Sequence, residues 1–99
     1  MKIKLTETSL KNTCRDLLDV MGIFNKPILQ GMGAAKGIPD RFAFINHKVV
    51  WIEFKTAKGK LSEHQLAFKE QCLKDKIAYW VIRDVAELEQ KLFKEVKYP

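Results

Sequence analysis

The sequence predicts an α/β fold, a mixed β-sheet with helices packed on it, in the order helix, three strands, helix, strand, helix. Three observations carry this. Apolar residues recur at helical spacing near the N-terminus. Two strand-like apolar runs flank a short polar turn in the middle of the chain. A capped helix and a nearly uninterrupted apolar run follow, before a last amphipathic helix.

Leu10, Cys14, Leu17, Leu18 and Met21 share one helical face, with Thr6 as N-cap, Glu7 in the first turn and Gly22 as the stop. Pro27 to Gln30 forms a short strand. Gly31 to Gly37 is a glycine-rich loop, and it is not read as a phosphate cradle. Such a loop needs a helix directly after it, whereas Ile38-Pro39-Asp40 follows, and proline disfavours helix at the residue before it. Phe42 to Ile45 reads as a strand, Asn46-His47-Lys48 as a turn, and Val49 to Lys55 as the hairpin partner. Ser62-Glu63-His64-Gln65 matches a capping box, with Gln65 reaching back to the N-cap. The helix after it carries Leu66, Phe68, Cys72 and Leu73. Ile77 to Ile82 has the composition of a strand covered on both faces. The strand–helix–strand order places it parallel to the 49–55 strand, with a right-handed crossover. Asp84 to Glu87 opens the last helix, with Val85, Leu88, Leu92 and Val96 on one side.

At 99 residues the chain is read as one domain, 1–99. Its 46% hydrophobic and 30% charged residues exclude the disordered class. Eighteen basic against 12 acidic residues leave a net charge of +6, which favours an anionic partner, nucleic acid being the commonest. The first residues lack the apolar core of a secretory signal, and no apolar run approaches the ~18 residues of a membrane span. Cys14 and Cys72 fit neither zinc nor disulfide spacing, and His47 and His64 form no paired zinc motif, so buried thiols in a reducing cytoplasm are expected.

The residues that carry chemistry sit at the end of the second hairpin strand. Alternate side chains of a strand share a face, so Glu53 and Lys55 point the same way. A tight turn at His47-Lys48 pairs Asn46 with Val49, Phe42 with Glu53 and Asp40 with Lys55. A slip of one residue still leaves Asp40 beside this stretch. Two carboxylates and a lysine therefore meet at one sheet edge, as in a metal site with a cation beside it. Glu-x-Lys occurs three times in the chain, but the copies at Glu89 and Glu95 lie on a charge-rich helix, where solvent explains them. Mg²⁺ prefers hard oxygen ligands and keeps several waters, so Asp40, Glu53 and the backbone carbonyl of Phe54 suit it, and phosphodiester hydrolysis is the chemistry such a site performs. Lys55 can orient or deprotonate the attacking water, or stabilise transition-state charge.

Gly37-Ile38-Pro39-Asp40-Arg41, Ile52-Glu53-Phe54-Lys55-Thr56 and Gly59-Lys60-Leu61-Ser62 with Gln65 together resemble the virus-type replication–repair nuclease (VRR-NUC) family of the PD-(D/E)XK superfamily. The resemblance runs from about Glu7 to Arg83 and implies a restriction-endonuclease-like core. It implies Asp40 and Glu53 as ligands of Mg²⁺ or Mn²⁺, Lys55 as the catalytic lysine, and Gln65 as a support of the active site. Glu7 matches an acidic residue of the family's first helix that binds a second metal; a first-turn acid favoured by the helix dipole explains it equally well. The basic residues Lys36, Arg41, Lys48, Lys58 and Lys60 flank the site and are expected to contact DNA phosphates. Standalone members of the family resemble homodimeric endonucleases of branched DNA such as four-way (Holliday) junctions. That likeness implies cleavage of branched DNA in a bacterial or phage-infected cytoplasm, with Phe24, Trp80, Leu92, Phe93 and Tyr98 available to an apolar interface. Flaps, nicks and linear duplex are the alternative substrates, and a binding module without catalysis is the alternative class.

Overall fold

The computed structural model describes residues 6–29 and 35–95. Helix α1 (Glu7–Val20) begins at Thr6, whose side chain accepts from the Ser9 N–H while Ser9 reciprocates, closing a capping box. It ends where Gly22 takes φ 71°, and the Ile23 N–H reaches the Leu18 carbonyl at 2.9 Å. That positive φ is why a glycine stands one residue past the C-cap. Strand β1 (Asn25–Pro27) follows, starting two residues before the 27–30 strand expected, and residues 30–34 lie outside the described chain. Asn25 is the reason for the earlier start. Its amide donates to Asp19 Oδ1 at 2.9 Å and to the Ile23 carbonyl at 2.8 Å, tying the strand to the end of α1.

Strands β2 (Arg41–Ile45) and β3 (Lys48–Phe54) form the hairpin. Its turn is Asn46-His47, both at positive φ, which matches the right-handed twist of the strands it joins. Ile45 therefore pairs with Lys48, and Arg41 with Ile52. The expected register is corrected: the turn sits one residue earlier than the sequence suggested, and the next rung sets Asp40 opposite Glu53 rather than Lys55. After α2 (Glu63–Lys74), strand β4 (Ala78–Ile82) pairs parallel with β3, as expected of a strand–helix–strand unit. Helix α3 (Val85–Glu95) starts where Asp84 Oδ1 accepts from the Glu87 N–H at 2.8 Å. Val96 and Tyr98 lie outside the described residues.

The result is a four-stranded mixed sheet in the order β1-β2-β3-β4, with three helices. Alternation along β3 divides the helices between two faces. Val50, Ile52 and Phe54 pack with Leu10, Cys14 and Leu18 of α1 and Leu88 and Leu92 of α3. Trp51 points the other way, edge-on to Phe68 of α2 at 5.4 Å. Glu53 and Lys55 share that second face. Two expectations change here. β4 is an edge strand whose side chains are half-buried from Ala78 to Val81 and buried only at Ile82, not a strand enclosed on both faces. Helix α2 meets the sheet through Phe68 and Cys72, while Leu66 and Leu73 are 46% and 80% exposed. Among the interface residues considered from sequence, Leu92 is core, whereas Phe24 and Phe93 are exposed.

Candidate active site

Asp40 arrives at the end of β3 because the segment before it has little freedom. Gly37 holds φ 87°, and a Cβ there would collide with the backbone carbonyl of His64 at the start of α2. Pro39 is fully buried, and the Asp40 carbonyl accepts from the Ile28 N–H at 2.9 Å. The carboxylate is then fixed by the strand opposite, where Asp40 Oδ2 accepts from the Phe54 N–H at 2.8 Å. Its other oxygen, Oδ1, lies 3.2 Å from Lys11 Nζ, which also reaches Glu7 Oε1 at 3.3 Å. Glu7 thus joins the site through Lys11, one ion pair removed from Asp40.

Glu53 is 2% exposed, an expensive place for a carboxylate. One oxygen, Oε1, accepts from Gln65 Nε2 at 3.1 Å; the other, Oε2, is buried with no hydrogen-bond partner among the described residues. Burial, then a hydrogen bond to Asp40 and that residue's charge, push the Glu53 carboxyl up to about 8, against the opposing pull of Lys55 and Lys11. Two acidic groups that repel across a shared site, one with an unpartnered buried oxygen, are what a divalent cation would relieve. Among the described residues no group of three or more His, Cys, Asp and Glu side chains converges. Two carboxylates with backbone oxygen and water fit the habit of Mg²⁺ or Mn²⁺ rather than that of zinc.

Gln65 makes the two contacts that its two readings from the sequence call for. Its Oε1 accepts from the Ser62 N–H at 2.8 Å, closing the capping box, and its Nε2 is thereby turned to Glu53. Helix capping and carboxylate positioning use opposite ends of one amide.

Lys55 is half-buried and makes no ion pair within 4.0 Å among the described residues, while its charge still acts on Glu53. The chain then turns, with the Gly59 N–H donating to the Thr56 carbonyl at 3.0 Å, and Arg83 Nη1 donates to the carbonyls of Thr56 and Gly59, each at 2.7 Å. This clamp from the end of β4 holds the turn that presents exposed Lys58 and Lys60 next to Lys55. Lys36 is exposed on the segment leading to Asp40.

Two of the expected phosphate contacts are placed elsewhere. Lys48 begins β3, ~17 Å along the strand from Glu53, and is paired with Glu95 at 3.1 Å. Arg41 is 8% exposed and, one residue out of phase with Asp40, faces α1 rather than the Glu53 face. Sequence reasoning missed Lys11 and Arg83. Lys11 directly follows the core residue Leu10 and stands four residues after Glu7, so it had to lie on the flank of the buried helical face.

Compared with protein-family models, curated proteins and solved structures, the chain matches none. Among the described residues no helix is long and apolar enough to cross a membrane.

Proposed function

We propose that this chain is a divalent-metal-dependent DNA endonuclease with a restriction-endonuclease-like core, akin to the VRR-NUC group of the PD-(D/E)XK superfamily. The observation that carries the reading is the juxtaposition of Asp40 with Glu53 at the end of β3, with Lys55 directly after the strand and a buried Glu53 oxygen left without a partner among the described residues. A purely structural strand-end ion pair would not bury a carboxylate this deeply beside another acid. The +6 charge and the exposed Lys36, Lys58 and Lys60 near the site favour a polyanionic substrate.

In this mechanism Asp40, Glu53 and the Phe54 carbonyl would hold Mg²⁺ or Mn²⁺. When bound, the ion lowers the pKa of a coordinated water and neutralises charge on the phosphate. The protein's own groups do the rest. The Phe54 N–H fixes one oxygen of Asp40, and Gln65 fixes one oxygen of Glu53, so the remaining oxygens are presented with little freedom to lose. Lys11 balances the Asp40 charge and links it to Glu7. Lys55 orients or deprotonates the attacking water, or offsets charge on the transition state. Lys58 and Lys60 bind flanking phosphates on a turn made rigid by Arg83.

Branched DNA is the proposed substrate, cut by a homodimer whose twofold axis supplies two active sites for two strands. The test is cleavage of a labelled four-way junction beside matched flap, linear duplex and single strand, in Mg²⁺, Mn²⁺ or EDTA, with Glu53→Gln as control. Metal-dependent paired incisions confined to the junction and absent in the variant are expected. Cutting of flaps or linear DNA keeps the site and discards the substrate. Tight binding without cleavage in any metal replaces the enzyme with a binding module.

A further inference from the structure

A second basic feature lies against the back of the candidate site. A cleft of ≈ 300 Å³ opens between α1 and the β1–β2 edge, lined by Lys11, Asn12, Arg15, Asp40, Arg41 and Phe54 among others. At its floor Arg41 is more than nine-tenths buried, and its Nη1 has no hydrogen-bond partner among the described residues. A buried guanidinium nitrogen without an acceptor is costly, and proteins rarely leave one so. The counter-charge that acts on it makes no hydrogen bond to that nitrogen. Asp19 acts on Arg41 through its field, while Asp19 Oδ1 accepts from Asn25. Arg15, on the rim, bonds Asp16 of its own helix through Nε and Nη2, and its Nη1 makes only a 3.5 Å contact with Asn12. The one acidic side chain in the lining, Asp40, already accepts from the Phe54 N–H and pairs with Lys11.

We propose that this cleft is a phosphate-binding subsite, in which the buried Arg41 and the rim residues Arg15 and Asn12 grip a backbone phosphodiester of nucleic acid. The proposal rests on the nucleic-acid reading above and deepens it by naming a second anchor on the α1 side of Asp40. Within the lining three cations face one carboxylate, and of the three the buried Arg41 keeps an unpartnered nitrogen among the described residues while Lys11 and Arg15 hold acids outside it. The volume admits a phosphate with its ester oxygens but not a base pair. Guanidinium forks match phosphate oxygens in pairs, which a lysine does not. A strand held both here and at Lys58 and Lys60 would cross the metal site between two fixed points, which sets the register of the scissile bond.

The test uses the full chain in EDTA, so cleavage plays no part in the outcome. Labelled DNA duplex binding is measured across a salt series for the native protein, Arg41→Met, Arg15→Gln and, as a remote basic control, Lys94→Gln. In parallel the Arg15 and Arg41 side-chain Nε–H NMR signals are followed as duplex or inorganic phosphate is added. Arg41→Met and Arg15→Gln should each weaken duplex binding about fivefold or more and lower the salt slope by about one, with the control changing less than twofold. The duplex should move both arginine signals. Affinities equal to the control's, or an Arg41 signal unmoved by duplex, would overturn the proposal. A response to inorganic phosphate without one to duplex means an adventitious ion only, and overturns it too. Should Arg41→Met fail to fold by circular dichroism, Arg15→Gln on the open rim decides. Failure of these binding tests, beside metal-dependent cleavage by the native chain in the junction assay, rejects this subsite alone; arginine-dependent binding beside no cleavage there rejects the nuclease alone.

Discussion

Replacing Glu53 by glutamine isolates the charge that the fold buries. In the folded chain burial, then the hydrogen bond to Asp40 and its charge, raise the Glu53 carboxyl from 4.5 to about 8. Unfolded, the same group titrates in the ordinary range. Between those two values the folded state therefore keeps a proton that the unfolded state has released. Stability then falls as pH rises through this window, and levels off above it. The difference of about 3.5 pH units (8 − 4.5), at 1.36 kcal/mol each, sets a ceiling of ~5 kcal/mol. Local relaxation and the shared proton with Asp40 reduce that to ~2–4 kcal/mol, still a large part of the ~5–15 kcal/mol that holds a domain together. Glutamine is neutral, of equal size, and retains a donor toward Asp40. Glu53→Gln should thus match the native chain near pH 5 and exceed its stability by that amount near pH 8.5. Urea unfolding followed by tryptophan fluorescence, in EDTA across this range, measures both curves. Parallel curves, or a native stability that climbs through the window relative to the variant, would refute the buried-charge argument.

Three further perturbations test the parts around it. Lys55→Ala should lower turnover by ~10²-fold or more with little change in DNA affinity; equal losses in both assays would reassign Lys55 to phosphate contact. Gln65→Ala removes half of the α2 capping box and the hydrogen bond that Gln65 gives to Glu53, and should cost ~1–3 kcal/mol in urea unfolding. A loss below ~0.5 kcal/mol would show that neither bond matters. Gly37→Ala places a methyl against the His64 backbone at a positive φ, and should destabilise by ~2 kcal/mol or more; native stability would mean the Asp40 segment shifts freely.

Much of this arrangement was legible because local signals and the sheet pattern agreed. The Thr6 N-cap, the Ser62–Gln65 capping box, the hairpin, the parallel β4 and the approach of Asp40 to the Glu53–Lys55 stretch follow from spacing alone. The hairpin register did not. Its turn uses Asn46 and His47 at positive φ without a glycine, so no residue marked the tight position. Helix α2 misled because Leu66 and Leu73 resemble core positions, whereas Phe68 and Cys72 make the approach to the sheet. Arg41 looked like a surface cation. Its place opposite Ile52 puts it on the α1 face, which periodicity could reveal only once the register was known. Both readings of Gln65 were available from the sequence, but not that one amide serves them together: a sequence shows which residue caps, not where the other end of its amide points.

The central claim, that Asp40 and Glu53 form one divalent-cation site, is tested most directly by titration calorimetry of Mg²⁺ and Mn²⁺ near pH 7. The native chain and Asp40→Asn are compared in two buffers of different ionisation heat. Because Glu53 holds its proton up to about 8 and must lose it to become a ligand, native binding should release close to one proton per ion. Asp40→Asn should bind at least about tenfold more weakly. Equal heats in both proteins, or cation binding with no proton release, would contradict the account.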